Sequence, residues 1–127
     1  RGTGEWPQRR RKKTLYEFYA AVGGDCEKVL ARIPNEPMVK KFARMYAEDE
    51  TTRQLHDAVD AERWADAFRA AHTLKGVAQN LGFTRLQQAA SELTEAMRGD
   101  KPLADFSLLT ATDAAHDEIL RALGELE

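Results

Sequence analysis

The chain has 127 residues, 43% hydrophobic and 31% charged, with one cysteine and a formal net charge of −2. That length holds one hydrophobic core but not comfortably two, and the composition is that of an ordinary folded domain. A single cysteine excludes an internal disulfide and fits a reducing cytoplasm, and no apolar run approaches the roughly 18 residues of a bilayer-spanning helix.

Charge is unevenly distributed. Residues 1–13 carry Arg1, Arg9, Arg10, Arg11, Lys12 and Lys13 against Glu5 alone, so an acidic body follows a basic leader. No apolar stretch follows the cations, so the leader is not a signal peptide. Five consecutive cations, "RRRKK", could contact nucleic acid or acidic lipid. The acidic body offers no second basic surface, and the favoured reading is a solvated, disordered linker or tag remnant. Neither nucleic acid nor membrane is an expected partner, and residues 14–127 are expected to form one domain.

Past residue 13 the pattern is helical. "TLYE" (14–17) has a capping-box arrangement, Thr at the N-cap and Glu three residues on, ahead of Phe18, Ala21 and Val22. Gly23-Gly24 ends that short helix, and Asp25 can cap a second one running to about Ile33. Pro34 and Pro37 bracket a turn, and Pro37 suits the first turn of the next helix, where its missing N–H costs nothing. From Met38, the positions Val39, Phe42, Met45 and Tyr46 keep helical spacing. "AEDETT" breaks or kinks this element before Leu55, Ala58 and Val59 resume it. A helix from about Ala61 to Leu81 is closed by Gly82. Phe83, Leu86, Ala90, Leu93 and Met97 then form an apolar stripe that stops at Gly99. Phe106, Leu109, Ile119, Leu123 and Leu126 predict a last helix reaching the C-terminus. No alternating β-branched run and no hairpin signal appears. The fold class expected is all-α, an antiparallel four-helix bundle with short extra N-terminal helices.

The helix from 61 to 81 contains an anomaly. His72 and Gly76 sit in its interior, and a mid-helix glycine costs about 1 kcal/mol relative to alanine. At about 100° per residue, Ala67, Ala70, Ala71, Leu74, Val77, Ala78 and Leu81 gather on the side away from His72 and form the bundle-facing stripe. Ala65, Arg69, Lys75, Gly76 and Gln79 share the outward side with His72, and Phe68 lies about 40° from its centre. Imidazole ordinarily titrates close to neutrality, so an outward histidine offers a neutral nucleophile. Lys75, one turn on, places positive charge where a phosphoryl group on the ring would hold its oxygens. Gly76 leaves room for another backbone to come close. Ala65 and Phe68, flanked by Arg69, would give a docking partner apolar area.

These residues resemble a known family. "AHTLKGVAQNLG" (71–82) is similar to the signature of the histidine-containing phosphotransfer (HPt) domain, His-x-x-Lys-Gly with a second glycine six residues later. The resemblance covers roughly residues 37–98. The flanking "FARMYAEDETTRQLHDAVDAERWADAFRA" and "FTRLQQAASELTEAMR" have the look of the family's neighbouring helices. The final helix fits the architecture but not the letters, and residues 14–36 are less typical. The resemblance implies His72 as phosphoacceptor, Lys75 as its electrostatic support, Gly76 as the access position, Gln79 as a polar neighbour and Gly82 at the helix end. It implies a phosphorelay intermediate exchanging phosphoryl groups with aspartates of response-regulator receiver domains, alone or with a hybrid sensor histidine kinase, in the cytoplasm and as a monomer. No cofactor is expected on this chain, and Mg²⁺ is expected on the partner receiver. The absence of a glycine-rich phosphate loop or nucleotide-binding box fits a carrier without its own ATP chemistry. The alternative is an HPt-like adaptor that docks receivers and transfers nothing.

The plainer readings bear on the remaining residues. His56 and His116 read as surface or boundary positions, since neither stands in a metal-ligand spacing, which leaves a di-metal or haem bundle weakly supported. The stripe from Phe83 to Met97 reads as core, and Trp64 as packing at the start of its helix.

Overall fold

The computed structural model describes residues 12–127. The expected disorder of the basic leader, and Trp6 within it, lie outside the described residues up to position 11. Among the described residues seven α-helices follow in order: α1 (Leu15–Ala21), α2 (Cys26–Arg32), α3 (Glu36–Met45), α4 (Thr51–Asp60), α5 (Trp64–Leu81), α6 (Thr84–Ala96) and α7 (Ser107–Leu123), with a single 3₁₀ turn at Tyr46–Glu48.

Local chemistry accounts for most of the boundaries. The capping box at α1 forms in both directions, Glu17 N–H donating to Thr14 Oγ1 at 3.1 Å and Thr14 N–H to Glu17 Oε1 at 2.9 Å. Asp25 caps α2 and Asn35 caps α3, each accepting from the N–H three residues on, at 3.0 Å in both cases. The "AEDETT" interruption is the 3₁₀ turn plus an Asp49 side chain that accepts from Thr51 N–H at 2.8 Å, restarting the chain as α4. Two elements differ from the sequence expectation. The helix expected from Ala61 begins at Trp64, because Glu62 takes a left-handed conformation (φ 56°). Glu62 N–H bonds Val59 O and Arg63 N–H bonds Ala58 O, a Schellman closure of α4. The last helix stops at Leu123 rather than continuing through Leu126. There the chain turns, and Lys13 N–H donates to Glu125 O at 2.6 Å while Glu127 N–H donates to Lys13 O at 2.9 Å. Lys12 Nζ also reaches Gly124 O at 3.1 Å, so the last two residues of the basic leader are tied to the C-terminus.

Helices α4, α5, α6 and α7 form the bundle, with α5 packed between α4 and α6, and α6 against α7. Its core is Leu55, Ala58 and Val59 from α4, Ala67, Ala71, Leu74 and Ala78 from α5, Leu86, Ala90 and Leu93 from α6, and Leu109, Ala115 and Ile119 from α7. Burying one leucine of this set contributes about 1.5–3 kcal/mol, while the alanines of α5 let neighbouring helices approach closely. The seam between α4 and α7 is partly polar. His56 Nε2 meets Asp113 Oδ1 at 2.7 Å, and the Tyr46 hydroxyl lies 2.6 Å from His116 Nδ1. These two histidines, read as surface or boundary positions, occupy a partly buried seam. Among the described residues no group of three His, Cys, Asp or Glu could hold a metal ion.

The N-terminal helices close one end of the bundle. Phe18 and Tyr19 of α1 join Tyr46 and Phe83 in an edge-rich aromatic cluster, with ring centroids 5.2–6.0 Å apart. The Tyr19 hydroxyl donates to Leu81 O, and Arg32 of α2 donates to Gln79 O and Asn80 O. The free carbonyls at the C-terminus of α5 are thereby satisfied by α1 and α2. That end of α5 is fixed, and the middle of the helix is left facing solvent.

Candidate functional site

Helix α5 places His72 on its exposed side, while Ala71 and Leu74 beside it are fully buried. The alanine-and-leucine stripe fixes this, because rotating α5 to bury His72 would expose Leu74 and Ala78 to water. No hydrogen bond engages the His72 ring among the described residues. Its orientation comes instead from Phe68 one turn earlier, whose ring lies parallel to the imidazole at 10°, with centroids 6.3 Å apart. Phe68 is half-buried and packs against the core with its other contacts. A ring held by stacking keeps both nitrogens open, so either can present a lone pair to an incoming electrophile.

Lys75 and Gly76 follow on the same side, both partly exposed. Lys75 makes no hydrogen bond or ion pair among the described residues. A Cβ built on Gly76 meets nothing within 4 Å. Close helix–helix packing therefore does not explain this glycine, and the propensity cost in α5 has no return inside the fold. Gly82 behaves differently. Its φ is +72°, and an added Cβ would lie 3.0 Å from Asp25 O and 3.3 Å from Val29 Cβ, so it serves the helix end and the packing of α2.

The remaining sequence-derived positions spread along α5. Gln79 is exposed one turn past Lys75, with its carbonyl taken by Arg32 at 3.0 Å. Ala65 is partly exposed near the start of the helix. Arg69 is exposed, but its guanidinium is paired with Asp66, which also accepts from Arg63 Nε at 3.1 Å. Arg69 is thus drawn toward the N-terminal end of α5, away from Lys75.

The structure adds two residues from α6 and its closing turn. Arg98 lies over the Phe68 ring, Cζ 5.5 Å from the centroid. Glu95 accepts two hydrogen bonds from Arg98, from Nε at 2.9 Å and from Nη2 at 2.6 Å. Those bonds, and then the Arg98 and Lys75 charges, hold the Glu95 carboxyl below the usual carboxylate range. The only sequence signal for the pair was its i, i+3 spacing, which is common on solvent faces.

Residues 45–125, more than half of the chain, match the family model of the Hpt domain. The match spans the end of α3 through α7 and leaves α1 and α2 outside it. No curated protein and no solved structure matches the chain. Among the described residues no helix is long and apolar enough to cross a membrane.

Proposed function

Because the chain belongs to the Hpt domain family, whose members carry phosphoryl groups in two-component signalling and interact there with receiver domains and kinases, we propose that it is a phosphorelay intermediate acting through His72. The observation that carries this reading is an exposed imidazole and a lysine that, among the described residues, make no hydrogen bond or ion pair, beside an open glycine.

In the step proposed, the lone pair of one ring nitrogen attacks the phosphorus of a receiver's aspartyl phosphate. An N–P bond forms, the P–O bond to the carboxylate breaks, and the electron pair leaves with the aspartate. The ring keeps its proton on the other nitrogen, and the reverse sequence hands the group to a second receiver. Nε2, the outer nitrogen, is the proposed acceptor. Such a transfer needs alignment and charge neutralisation more than covalent machinery, which a sparse site can supply. Mg²⁺ on the receiver would neutralise the phosphoryl oxygens from one side, and Lys75 would approach them from the other. Ala65, Phe68 and the open backbone at Gly76 would form the docking face, with Gln79 at its edge. The proposed setting is the cytoplasm and the proposed state a monomer, which a single exposed histidine suits.

The test is incubation with a phosphorylated receiver domain and Mg²⁺. The expected product is an acid-labile, base-stable phosphoryl group on the wild-type chain and none on His72→Gln. Receiver binding without transfer would identify the adaptor instead.

A further inference from the structure

Along the sequence, the cations of the leader have no second basic surface beside them; the fold supplies one. Arg44 of α3 donates from Nη2 to Leu126 O at 3.2 Å and to Glu127 O at 2.8 Å. Lys13 pairs with Glu125 and Glu127 through its backbone, and Lys12 Nζ bonds Gly124 O. The C-terminal turn therefore brings Lys12 and Lys13 beside Arg44. Lys12 and Arg44 bond carbonyl oxygens, which carry no formal charge. Lys13 Nζ lies 3.3 Å from Glu125 Oε1 in a solvent-accessible pair, a weak association in water. Arg9, Arg10 and Arg11 are the next residues along the chain, and backbone reach keeps them within about 11 Å of Lys12. On α3 and the turn after it, residues 37–47 carry Lys40, Lys41 and Arg44 and no acid. At about 100° per residue, Lys40, Arg44, Lys41, Met45 and Met38 follow one another across an outward arc of about 160°, with buried Val39 and Ala43 on the other side. Met38 is 39% exposed and Met45 56%, so two large apolar side chains stand at the surface beside the lysines.

We propose that this face, the cations of residues 12–13 and α3 with Met38 and Met45 next to them, docks on an anionic lipid bilayer. The surface of an acidic membrane is negative, and clusters of four to eight Lys and Arg are drawn to it. Methionine gains nothing from a phosphate backbone, whereas at the boundary between headgroups and acyl chains it leaves water. That pairing of charge with exposed apolar area favours lipid over nucleic acid. The acidity of the rest of the chain does not prevent contact. At about 0.1 M salt the Debye length is about 10 Å, roughly one helix diameter, so acids on the far side of the bundle are screened from the surface. A basic face without an inserted helix or an acyl chain binds weakly, and the association is peripheral, reversible and salt-sensitive. None of these residues is among those assigned to phosphoryl transfer, so the docking role stands or falls separately from the relay role.

The experiment is sedimentation of the 127-residue chain with vesicles of phosphatidylcholine alone or with about one third phosphatidylserine, at low and physiological salt, circular dichroism confirming that each variant is folded. The wild-type chain should sediment with the mixed vesicles only, and less as salt rises. Each cation near such a surface strengthens binding about fivefold, so Lys40→Gln with Lys41→Gln should weaken it about tenfold or more. Met38→Gln with Met45→Gln should also weaken it, without changing its salt dependence. Equal binding to both vesicles, binding to neither, or undiminished binding of the lysine double variant would overturn the proposal. The last outcome, with binding lost when Arg9, Arg10 and Arg11 become Gln, would assign the contact to the leader alone. Tighter binding to duplex DNA at equal phosphate concentration, indifferent to the methionine changes, would assign the face to nucleic acid and overturn the lipid reading.

Discussion

Gly76→Ala should make the protein more stable and a poorer phosphoryl acceptor. Glycine in a helix interior costs about 1 kcal/mol relative to alanine, chiefly through backbone entropy in the unfolded chain. The new methyl group would meet nothing within 4 Å, so no steric penalty offsets that gain. For a chain of this size, about 1 kcal/mol corresponds to a rise in Tm of about 3–6 °C. Thermal denaturation followed by circular dichroism reads the first effect. Initial rates of transfer from a phosphorylated receiver read the second. Gly76→Gln should fold as well and lose more of the transfer rate, because its side chain fills the approach to His72. Destabilisation of Gly76→Ala would show a close contact that the geometry denies. A stabilised variant with undiminished transfer in both substitutions would refute the claim that the glycine is there for access.

The end of α5 closes like that of α4, Gly82 N–H donating to Gln79 O and Phe83 N–H to Ala78 O, and exchanging the left-handed residue at these two closures should move stability in opposite directions. Gly82→Ala places a side chain at φ +72° with Cβ 3.0 Å from Asp25 O and should cost about 1–3 kcal/mol in urea denaturation, whereas Glu62→Gly removes a left-handed non-glycine and should gain up to about 1 kcal/mol. A neutral Gly82→Ala would mean the end of α5 can relax away from α2. At the α4–α7 seam, burial pushes the His116 imidazole below its ordinary range; Asp117, Asp113 and Asp49 pull it up and His56 adds to the lowering. Tyr46 and Thr52 contact the same ring, an arrangement satisfied when the Tyr46 hydroxyl donates to the unprotonated Nδ1. The folded state therefore favours neutral His116, whose contribution is present above the unfolded pKa of about 6.5 and is lost as pH falls through the lower folded value. Unfolding free energies between neutral and mildly acidic pH should fall more steeply in wild type than in His116→Gln. Equal slopes would remove His116 as the cause.

The parts of this molecule governed by local chemistry were legible in its sequence. Thr14 and Glu17 cap α1, "AEDETT" is a true interruption, and the stripe through Leu74 and Ala78 turns His72 outward. The boundary near residue 60 was legible but the start of α5 at Trp64 was not, because the left-handed position of the turn is filled by Glu62 where glycine would have signalled it. Leu126 kept helical spacing, yet it lies beyond the end of α7, where a backbone pairing with Lys13, more than a hundred residues away in sequence, takes over. The site divides the same way. His72, Lys75 and Gly76 fall on one helix and follow from a helical wheel. Arg98 and Glu95 reach the site only through the packing of α6 on α5, and Arg69 is turned aside by Asp66. Periodicity places residues on faces; it does not say which face of a second helix lies beside them.

The central claim is that one ring nitrogen of His72 carries the phosphoryl group. Its most direct measurement is phosphoryl transfer from a phosphorylated receiver domain in the presence of Mg²⁺, comparing wild type with His72→Gln under identical loading. The account predicts an acid-labile, base-stable label that maps to the peptide containing His72 in the wild-type chain and is absent from the variant. Equal labelling of both proteins, or a label mapped to His56 or His116, would contradict it.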